Sequence, residues 1–169
     1  MPIAARPDPT SHYNAVTDAW QYLLGADLHY GYFENHKQPL AAATNALTRL
    51  LVAKAGLEPG MSVLDFGCGT GNPALMLAGE HQPSVLGIST SEIGIQRARA
   101  RAATSNMSHQ VRFELREGTA TGLDDGTFES LMNCWVQRAW HSSVGRAISC
   151  LGFGSTGWDM GFLVAERAR

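Results

Sequence analysis

The sequence predicts an α/β domain built around a mostly parallel β-sheet. Short apolar segments of strand type alternate along the chain with longer segments of helical periodicity, and this order is typical of parallel strands joined by right-handed crossovers. A chain of 169 residues can form one domain with a substantial core and leaves little room for a second. A glycine-rich turn follows the first apolar segment, at the strand end where sheets of this class bind ligands.

The N-terminal region is predicted to be helical after a short tail. Residues 1–10 contain three prolines and are expected to form a flexible tail. From His12 to about Leu24, apolar residues recur at helical spacing. An aromatic segment follows at residues 28–33, for which two interpretations stay open: a hydrophobic plug, or a flap that closes over a ligand and excludes water.

A second helix is the clearest amphipathic element of the sequence. It is predicted from Pro39 to Ala55, and Gly56 provides a C-terminal stop. We therefore divide the chain, after the tail, into an N-terminal helical cap at 11–58 and a core at 59–169.

The core is predicted to contain up to five strands. The first runs from Ser62 to the acid Asp65, and the others are Ser84–Ser89, Val111–Leu115, Thr127–Met132 and, more weakly, Gly161–Glu166. Helices are predicted from Pro73 to about Gly79, from Glu92 to Ala103 and from Trp135 to Cys150. The charges of the second of these helices are expected to form a solvated face.

The turn after the first strand alternates glycine with other residues, at Gly67, Gly69 and Gly71. Glycine permits a tight left-handed turn and lets a ligand approach bare amides. Pro73 fits the first turn of a helix, whose N-terminus offers unpaired N–H groups. Asp65 at the strand end can accept hydrogen bonds from a ligand's hydroxyl or ammonium group. The pattern therefore predicts a nucleotide-type site.

Two further loops are expected to face the same crevice. Ser89-Thr90 follows the second strand and Glu117-Gly118 follows the third. Their hydroxyls and carboxylate suit a ribose and a base amine, respectively. A dinucleotide fits less well, because the glycines are spaced GxGxG rather than GxGxxG and no acid ends the second strand. A nicotinamide-dependent oxidoreductase is therefore disfavoured.

Segment 64–71 (Leu-Asp-Phe-Gly-Cys-Gly-Thr-Gly) resembles the first motif of class I S-adenosylmethionine-dependent methyltransferases. Segments 28–34, 56–61 and 87–91 resemble the branch that holds natural-product sugar O-methyltransferases, sterol C-methyltransferases and cyclopropane fatty-acid synthases. The similarity covers roughly residues 12–132 in order and spacing and selects no single substrate. It implies a three-layer, Rossmann-like methyltransferase sandwich with N-terminal helices, and S-adenosyl-L-methionine as cofactor.

The resemblance also implies roles for individual residues; no metal-binding residues are predicted. The methionine and ribose portion of the cofactor would be held by Asp65 and by the turn Gly67, Cys68, Gly69, Thr70 and Gly71. Ser89 and Thr90 would lie beside the ribose, and Glu117 and Gly118 beside the adenine. Leu28 and His29 match flap positions that touch the cofactor in the cyclopropane synthases.

The sequence departs from this branch near the reacting centre. Gly94 stands where the branch usually has a glutamine, which leaves one expected ribose contact open. After the fourth strand, Trp135 stands at the position of a glutamate, and Arg138 and Ala139 at those of a histidine pair. His141 is the nearby candidate for a general base.

The chain also stops near the fifth strand of the branch. We therefore expect a sheet that lacks the last two strands and has an open edge, which favours self-association by strand pairing. A truncated or frame-shifted gene product is one hypothesis for this ending.

Composition excludes several classes of partner and site. A net charge of -2 gives no reason to expect a nucleic-acid partner. Cys68, Cys134 and Cys150 form an odd set without CxxC spacing, which suggests neither a disulfide framework nor a zinc site. No secretory signal and no apolar run of the roughly 20 residues needed for a membrane span is present, so a cytoplasmic protein is expected.

The function predicted from these features is S-adenosylmethionine-dependent methyl transfer to a small-molecule acceptor of natural-product or secondary metabolism. Transfer to oxygen is favoured over transfer to carbon. The alternative is a catalytically impaired domain that binds the cofactor, or only associates, because its reacting half is altered or truncated.

Overall fold

The computed structural model of the chain describes residues 31–118, 120–124, 127–133 and 163–166, and single positions between 11 and 29. The described elements, in chain order, are α1 (Leu40–Ala55), β1 (Ser62–Phe66), α2 (Asn72–His81), β2 (Ser84–Ser89), α3 (Glu92–Thr104), β3 (Val111–Leu115), β4 (Ser130–Asn133) and β5 (Leu163–Glu166). Positions 11, 14, 15, 17, 19 and 22 are helical as well, in line with the helix predicted there.

The five strands form one sheet in the order β3-β2-β1-β4-β5. β1 pairs in parallel with both β2 and β4, and β2 pairs in parallel with β3. β5 runs antiparallel to β4, so the prediction of a mostly parallel sheet is confirmed, with one antiparallel strand. The strand order reverses between β1 and β4, and sheets of this class bind ligands beyond the carboxyl ends of the strands at such a reversal.

The strands match the sequence prediction closely, apart from the fourth. β2 and β3 have the predicted bounds, whereas β4 begins at Ser130 rather than at Thr127. Thr127 is instead held in a turn, because its hydroxyl donates to the carbonyl oxygen of Asp124 at 2.8 Å. The helix predicted from Trp135 to Cys150 lies outside the described residues.

The helices begin and end for identifiable reasons. α1 starts after Pro39 and ends at Gly56, which takes the left-handed conformation (φ 57°) as predicted. α2 runs two residues beyond the predicted Gly79 and ends where Gln82 takes a left-handed conformation (φ 58°). At the start of α3, the Ser91 hydroxyl accepts a hydrogen bond from the amide of Gly94 at 3.1 Å.

Both faces of the sheet contribute to the buried interior. One face packs against the three helices through Val63, Val85, Val111, Phe113 and Met132, which meet Leu47, Leu51, Leu77, Ile95 and Ala98. The other face is buried too, as Leu64, Leu86, Ile88 and Leu131 are at most 6% exposed. Burial on both faces is typical of parallel strands in layered α/β domains. Each of the larger buried side chains, Val, Leu, Ile, Phe or Met, contributes roughly 1.5–3 kcal/mol to stability by leaving water.

In the described part of the chain, no helix is both long and apolar enough to cross a membrane. The sheet formed by the described strands has β3 and β5 as its outer members.

Candidate functional site

The glycine turn between β1 and α2 has the left-handed backbone that its sequence predicts. Gly67, Gly69 and Gly71 have φ values of 81°, 55° and 82°. Residues with a Cβ rarely adopt such values, so each position needs glycine. The amides of Gly67 and Cys68 both donate to the carbonyl oxygen of Ile88, at 2.8 and 3.0 Å. The turn is therefore anchored to the end of β2 by main-chain hydrogen bonds.

Three glycines around this turn also allow close packing. A Cβ on Gly71 would lie 2.6 Å from the ring of Phe113, and one on Gly87 would lie 2.5 Å from the same ring. A Cβ on Gly94 would lie 2.9 Å from the carbonyl oxygen of Gly69. Gly94, which departs from the pattern of the resembling branch, therefore lets α3 approach the turn where a glutamine would force it away.

Asp65 is a buried acid at the carboxyl end of β1. It is 1% exposed, and among the described residues its Oδ2 atom has no hydrogen-bond partner. Burial raises the pKa of its carboxyl group to about 7, because the charged form loses its hydration. The site thus holds an acid that is poised to ionise when a cationic donor binds beside it.

Cys68 lies next to this acid and is buried as well. Burial, with a smaller contribution from the nearby Asp65, raises the pKa of the Cys68 thiol well above its usual range. A thiol in this state is a packing group and a weak nucleophile.

The loops after β2 and β3 end at the same edge of the sheet as the turn. Ser89 and Thr90 are half-buried, and the carbonyl oxygen of Ser89 accepts from the amide of Arg116 at 3.0 Å. Gly118 lies against β1, since a Cβ there would be 2.7 Å from the ring of Phe66. The two loops thereby lie beside each other, with Gly118 against the end of β1 and Glu117 exposed to solvent.

His29 lies in a buried polar cluster between the N-terminal segment and the helices. It is 4% exposed, and its Nε2 atom is 3.4 Å from the hydroxyl of Thr48 and 3.9 Å from Oδ1 of Asp27. The same Asp27 atom accepts a hydrogen bond from Nδ2 of Asn72, the first residue of α2, at 2.8 Å. The two other flap and base candidates, Leu28 and His141, lie outside the described residues.

The structure reveals neighbours of the turn that the sequence pattern did not single out. Asn14 accepts hydrogen bonds from the Ser91 hydroxyl at 3.0 Å and from the amide of Ile93 at 3.5 Å. Arg101 donates to the Thr70 hydroxyl at 3.1 Å. Spacing along the chain could not indicate these contacts, since each joins residues at least 31 positions apart.

The prediction that the charges of α3 form a solvated face holds for Arg99, which is exposed, and is wrong for Arg101, which is half-buried. Arg101 turns towards the glycine turn, and the guanidinium of Arg99 donates to the carbonyl oxygen of Phe113 at 2.9 Å. An arginine side chain is long enough to carry its donors from an exposed helix surface to neighbouring backbone, and periodicity does not show this.

Within the described residues, no group of three or more histidine, cysteine, aspartate or glutamate side chains is arranged to hold a metal ion.

Comparisons with known proteins agree with this geometry. Residues 3–122 match the profile of a family described as mycolic acid cyclopropane synthetase. The chain is 33% identical over 129 residues to the 27-O-demethylrifamycin SV methyltransferase of Amycolatopsis mediterranei, a match that covers 76% of this chain and 46% of that protein. It also covers 31% of the sterol 24-C-methyltransferase of Saccharomyces cerevisiae, at 31% identity. The chain thus spans about half or less of the length of these two curated relatives.

Solved structures share the fold at low sequence identity. The 4+2 cyclase SpnF superposes with a TM-score of 0.72 at 22% identity, covering 89% of this chain and 74% of that one. The geranyl diphosphate C-methyltransferase of Streptomyces coelicolor, solved with Mg²⁺, geranyl diphosphate and S-adenosyl-L-homocysteine, gives a TM-score of 0.60 at 15% identity and covers 89% of this chain and 82% of that one. These similarities confirm the Rossmann-like methyltransferase fold. By its sequence match over residues 3–122, the chain belongs to the mycolic acid cyclopropane synthetase family.

Proposed function

We propose that the chain binds S-adenosyl-L-methionine at the glycine turn and transfers its methyl group to a small-molecule acceptor. The observation that carries the proposal is the buried carboxyl of Asp65, whose Oδ2 has no partner among the described residues. An unpaired buried carboxylate is costly, and a bound ammonium group would relieve that cost. The methionine part of this cofactor carries an ammonium group, so the residues present fit it.

In this proposal, the residues of the chain bind the cofactor and orient it. When bound, S-adenosyl-L-methionine supplies a methyl group on a positively charged sulfonium. The carboxylate of Asp65 accepts hydrogen bonds from the ammonium group, and the open backbone at Gly67, Gly69 and Gly71 gives close access to the turn. Holding the reacting atoms in line supplies most of the rate of such a transfer.

The two neighbouring loops supply contacts for the nucleoside part. Ser89 and Thr90 are assigned to the ribose, and Glu117 and Gly118 to the adenine. The hydrogen bond between the Arg116 amide and the Ser89 carbonyl supports this assignment, because it fixes the two loops beside each other. The flap residues Leu28 and His29 are assigned to the cofactor by the family resemblance.

We assign the acceptor to the natural products and favour transfer to oxygen. The 27-O-demethylrifamycin SV methyltransferase supports oxygen, whereas the sterol 24-C-methyltransferase and the geranyl diphosphate C-methyltransferase act on carbon by their names. An oxygen acceptor must lose a proton only if it reacts as a hydroxyl, and His141 is the candidate base for that step.

A second candidate function is cofactor binding without methyl transfer. The structural similarity to SpnF favours it, since that protein is named as a cyclase. The sequence favours it too, because Trp135, Arg138 and Ala139 replace the acid and histidines of the resembling branch.

One experiment separates the two functions. Binding of S-adenosyl-L-homocysteine is measured by calorimetry, beside methyl transfer from labelled cofactor to a panel of hydroxylated and alkene-containing small molecules. Binding with a labelled product supports the methyltransferase, and the product's structure tells oxygen from carbon transfer. Binding without any product supports the second function, and absence of binding contradicts both.

The division into a helical cap at 11–58 and a core at 59–169 belongs to the same proposal. The hydrogen bonds of Asn14 to Ser91 and of Asp27 to Asn72 support it, since they attach the cap beside the cofactor loops. Self-association through an outer strand is also proposed, because an unpaired strand edge favours pairing with another copy. Light scattering across a concentration series measures it.

A further inference from the structure

We propose that Arg101 is a positioning residue that holds the cofactor-binding turn in its binding conformation through a hydrogen bond to Thr70. The inference rests on the proposed function of the turn. Nη1 of Arg101 donates to the Thr70 hydroxyl at 3.1 Å and lies 3.5 Å from the carbonyl oxygen of the same residue. Thr70 is 2% exposed. A side chain of α3 thus contacts the middle of the turn.

The turn needs such support because of its glycines. Thr70 lies between Gly69 and Gly71, both with positive φ values. Glycine has the largest range of backbone conformations, so ordering it costs more entropy than ordering other residues. Main-chain hydrogen bonds anchor Gly67 and Cys68 to the end of β2. A side chain that orders the segment between the other two glycines before the ligand arrives lowers the entropy cost of binding.

The packing of α3 explains why Arg101 reaches this position. The Cβ of Ala98 lies 2.8 Å from where a Cβ on Gly71 would stand. Arg101 follows Ala98 by three residues and therefore lies on the same face of the helix. Arg101 is also in the last turn of α3, where a cation interacts favourably with the helix dipole. A guanidinium has several donors in one plane and can serve a hydroxyl and a carbonyl together, which a lysine ammonium does less well.

The test is a double-mutant cycle read by the affinity for S-adenosyl-L-homocysteine. Arg101→Met keeps the length of the side chain and removes its donors, and Thr70→Val keeps the shape of the threonine and removes its hydroxyl. We expect each variant to bind about 10-fold more weakly, as for the loss of one charge-assisted hydrogen bond. The double variant is expected to bind little worse than either single one, because both lose the same contact. Fully additive losses would contradict action through Thr70.

A second set of measurements separates positioning from general stabilisation. Arg49→Met is the matched control, because it removes an arginine that pairs with Glu80 on the exposed surface. We expect the control to bind like the wild type, and Arg101→Lys to recover part of the affinity lost in Arg101→Met. If Arg101→Met lowers the melting temperature and binds normally at a temperature where it is folded, the residue is only structural and the proposal is wrong.

Failure of the proposed function would remain distinguishable from failure of this inference. If the wild type does not bind S-adenosyl-L-homocysteine, the proposed cofactor site is contradicted. The effect of Arg101 on the order of the turn is then measured by amide hydrogen exchange at residues 69–71 in the unliganded protein. Faster exchange in Arg101→Met than in Arg49→Met supports the proposal that Arg101 orders the turn, and equal exchange contradicts it.

Discussion

The glycine turn and the N-terminal segment both contribute to the candidate site but are held mainly by different kinds of hydrogen bond. The start of the turn is fixed by main-chain atoms, as the amides of Gly67 and Cys68 share the carbonyl oxygen of Ile88, and Arg101 adds a side-chain contact at Thr70. Main-chain bonds form with almost any side chain, provided that the backbone conformation is allowed. The turn should therefore be sensitive to a substitution that its φ values or its packing exclude.

The N-terminal segment is attached through side chains. Asn14 accepts from Ser91, and Asp27 accepts from Asn72. Each bond depends on one pair of residues and disappears when either is changed. The comparison indicates a turn that is formed before the ligand binds and an N-terminal segment whose attachment is weakened by single substitutions.

The largest effect is expected from Gly71→Ala. The alanine would have to adopt a φ of 82°, and its Cβ would lie 2.6 Å from the ring of Phe113. Strain and overpacking together should cost about 2–5 kcal/mol of unfolding free energy and should abolish cofactor binding. Gly60→Ala is the control, since φ there is 87° and no atom of the described residues lies within 4 Å of the added Cβ. Urea unfolding checks both, and equal losses in the two variants would show that packing at Gly71 is unimportant.

The next effect is expected from Asp65→Ala, which should weaken binding of S-adenosyl-L-homocysteine by about 1–3 kcal/mol through a lost charge-assisted hydrogen bond. Calorimetry measures this loss. Asp65→Asn is the isosteric control: it keeps the size of the side chain but cannot become an anion, so it should bind weakly as well. Unchanged affinity in both variants would show that the ammonium group of the ligand does not bind at Asp65.

The raised pKa of Asp65 also predicts how the stability of the protein and its affinity for the ligand depend on pH. The pKa of Asp65, about 7 in the folded protein, lies above the ordinary value of 3.8 for an aspartate carboxyl group. The protonated carboxyl is therefore favoured by folding, and its contribution to the stability of the unliganded protein is fully present below pH 4 and is lost as the pH rises through 7. Ligand binding should show the opposite trend and strengthen from pH 6 to pH 8. Asp65→Asn should remove both dependences, which thermal unfolding and calorimetry across this range would check.

A smaller effect is expected where the cap is attached. Asn14→Ala removes two hydrogen bonds at the start of α3 and should cost about 0.5–2 kcal/mol of unfolding free energy. The glycine turn should keep its hydrogen-exchange protection, because its own main-chain bonds are untouched. Loss of protection in the turn would show that the cap and the turn form one cooperative unit.

The smallest effect is expected at the rim of α1. Arg49→Ala removes an ion pair with Glu80 in which both side chains are exposed, 60% and 39%. Water screens such a pair, so we expect no measurable change in melting temperature or in cofactor affinity. A clear drop in either quantity would show that this exposed ion pair contributes to stability or to cofactor binding.

Much of the fold could be predicted from local patterns. The bounds of β2 and β3, the end of α1 at Gly56 and the left-handed glycines of the turn follow from apolar runs and from the freedom of glycine. β4 was less predictable. Its early residues have strand composition, but a turn at Thr127 takes them out of the sheet.

The sequence by itself determined the class of sheet, the position of the turn and the acid at its start, because these depend on residues close together in the chain. Only the tertiary structure decided that this acid has an oxygen without a partner in the described part of the chain, that Gly94 packs beneath the turn and that Arg101 contacts it. Those properties arise where α3, the cap and the sheet meet. Contacts between distant residues depend on how whole elements pack, and no periodicity along the chain records them.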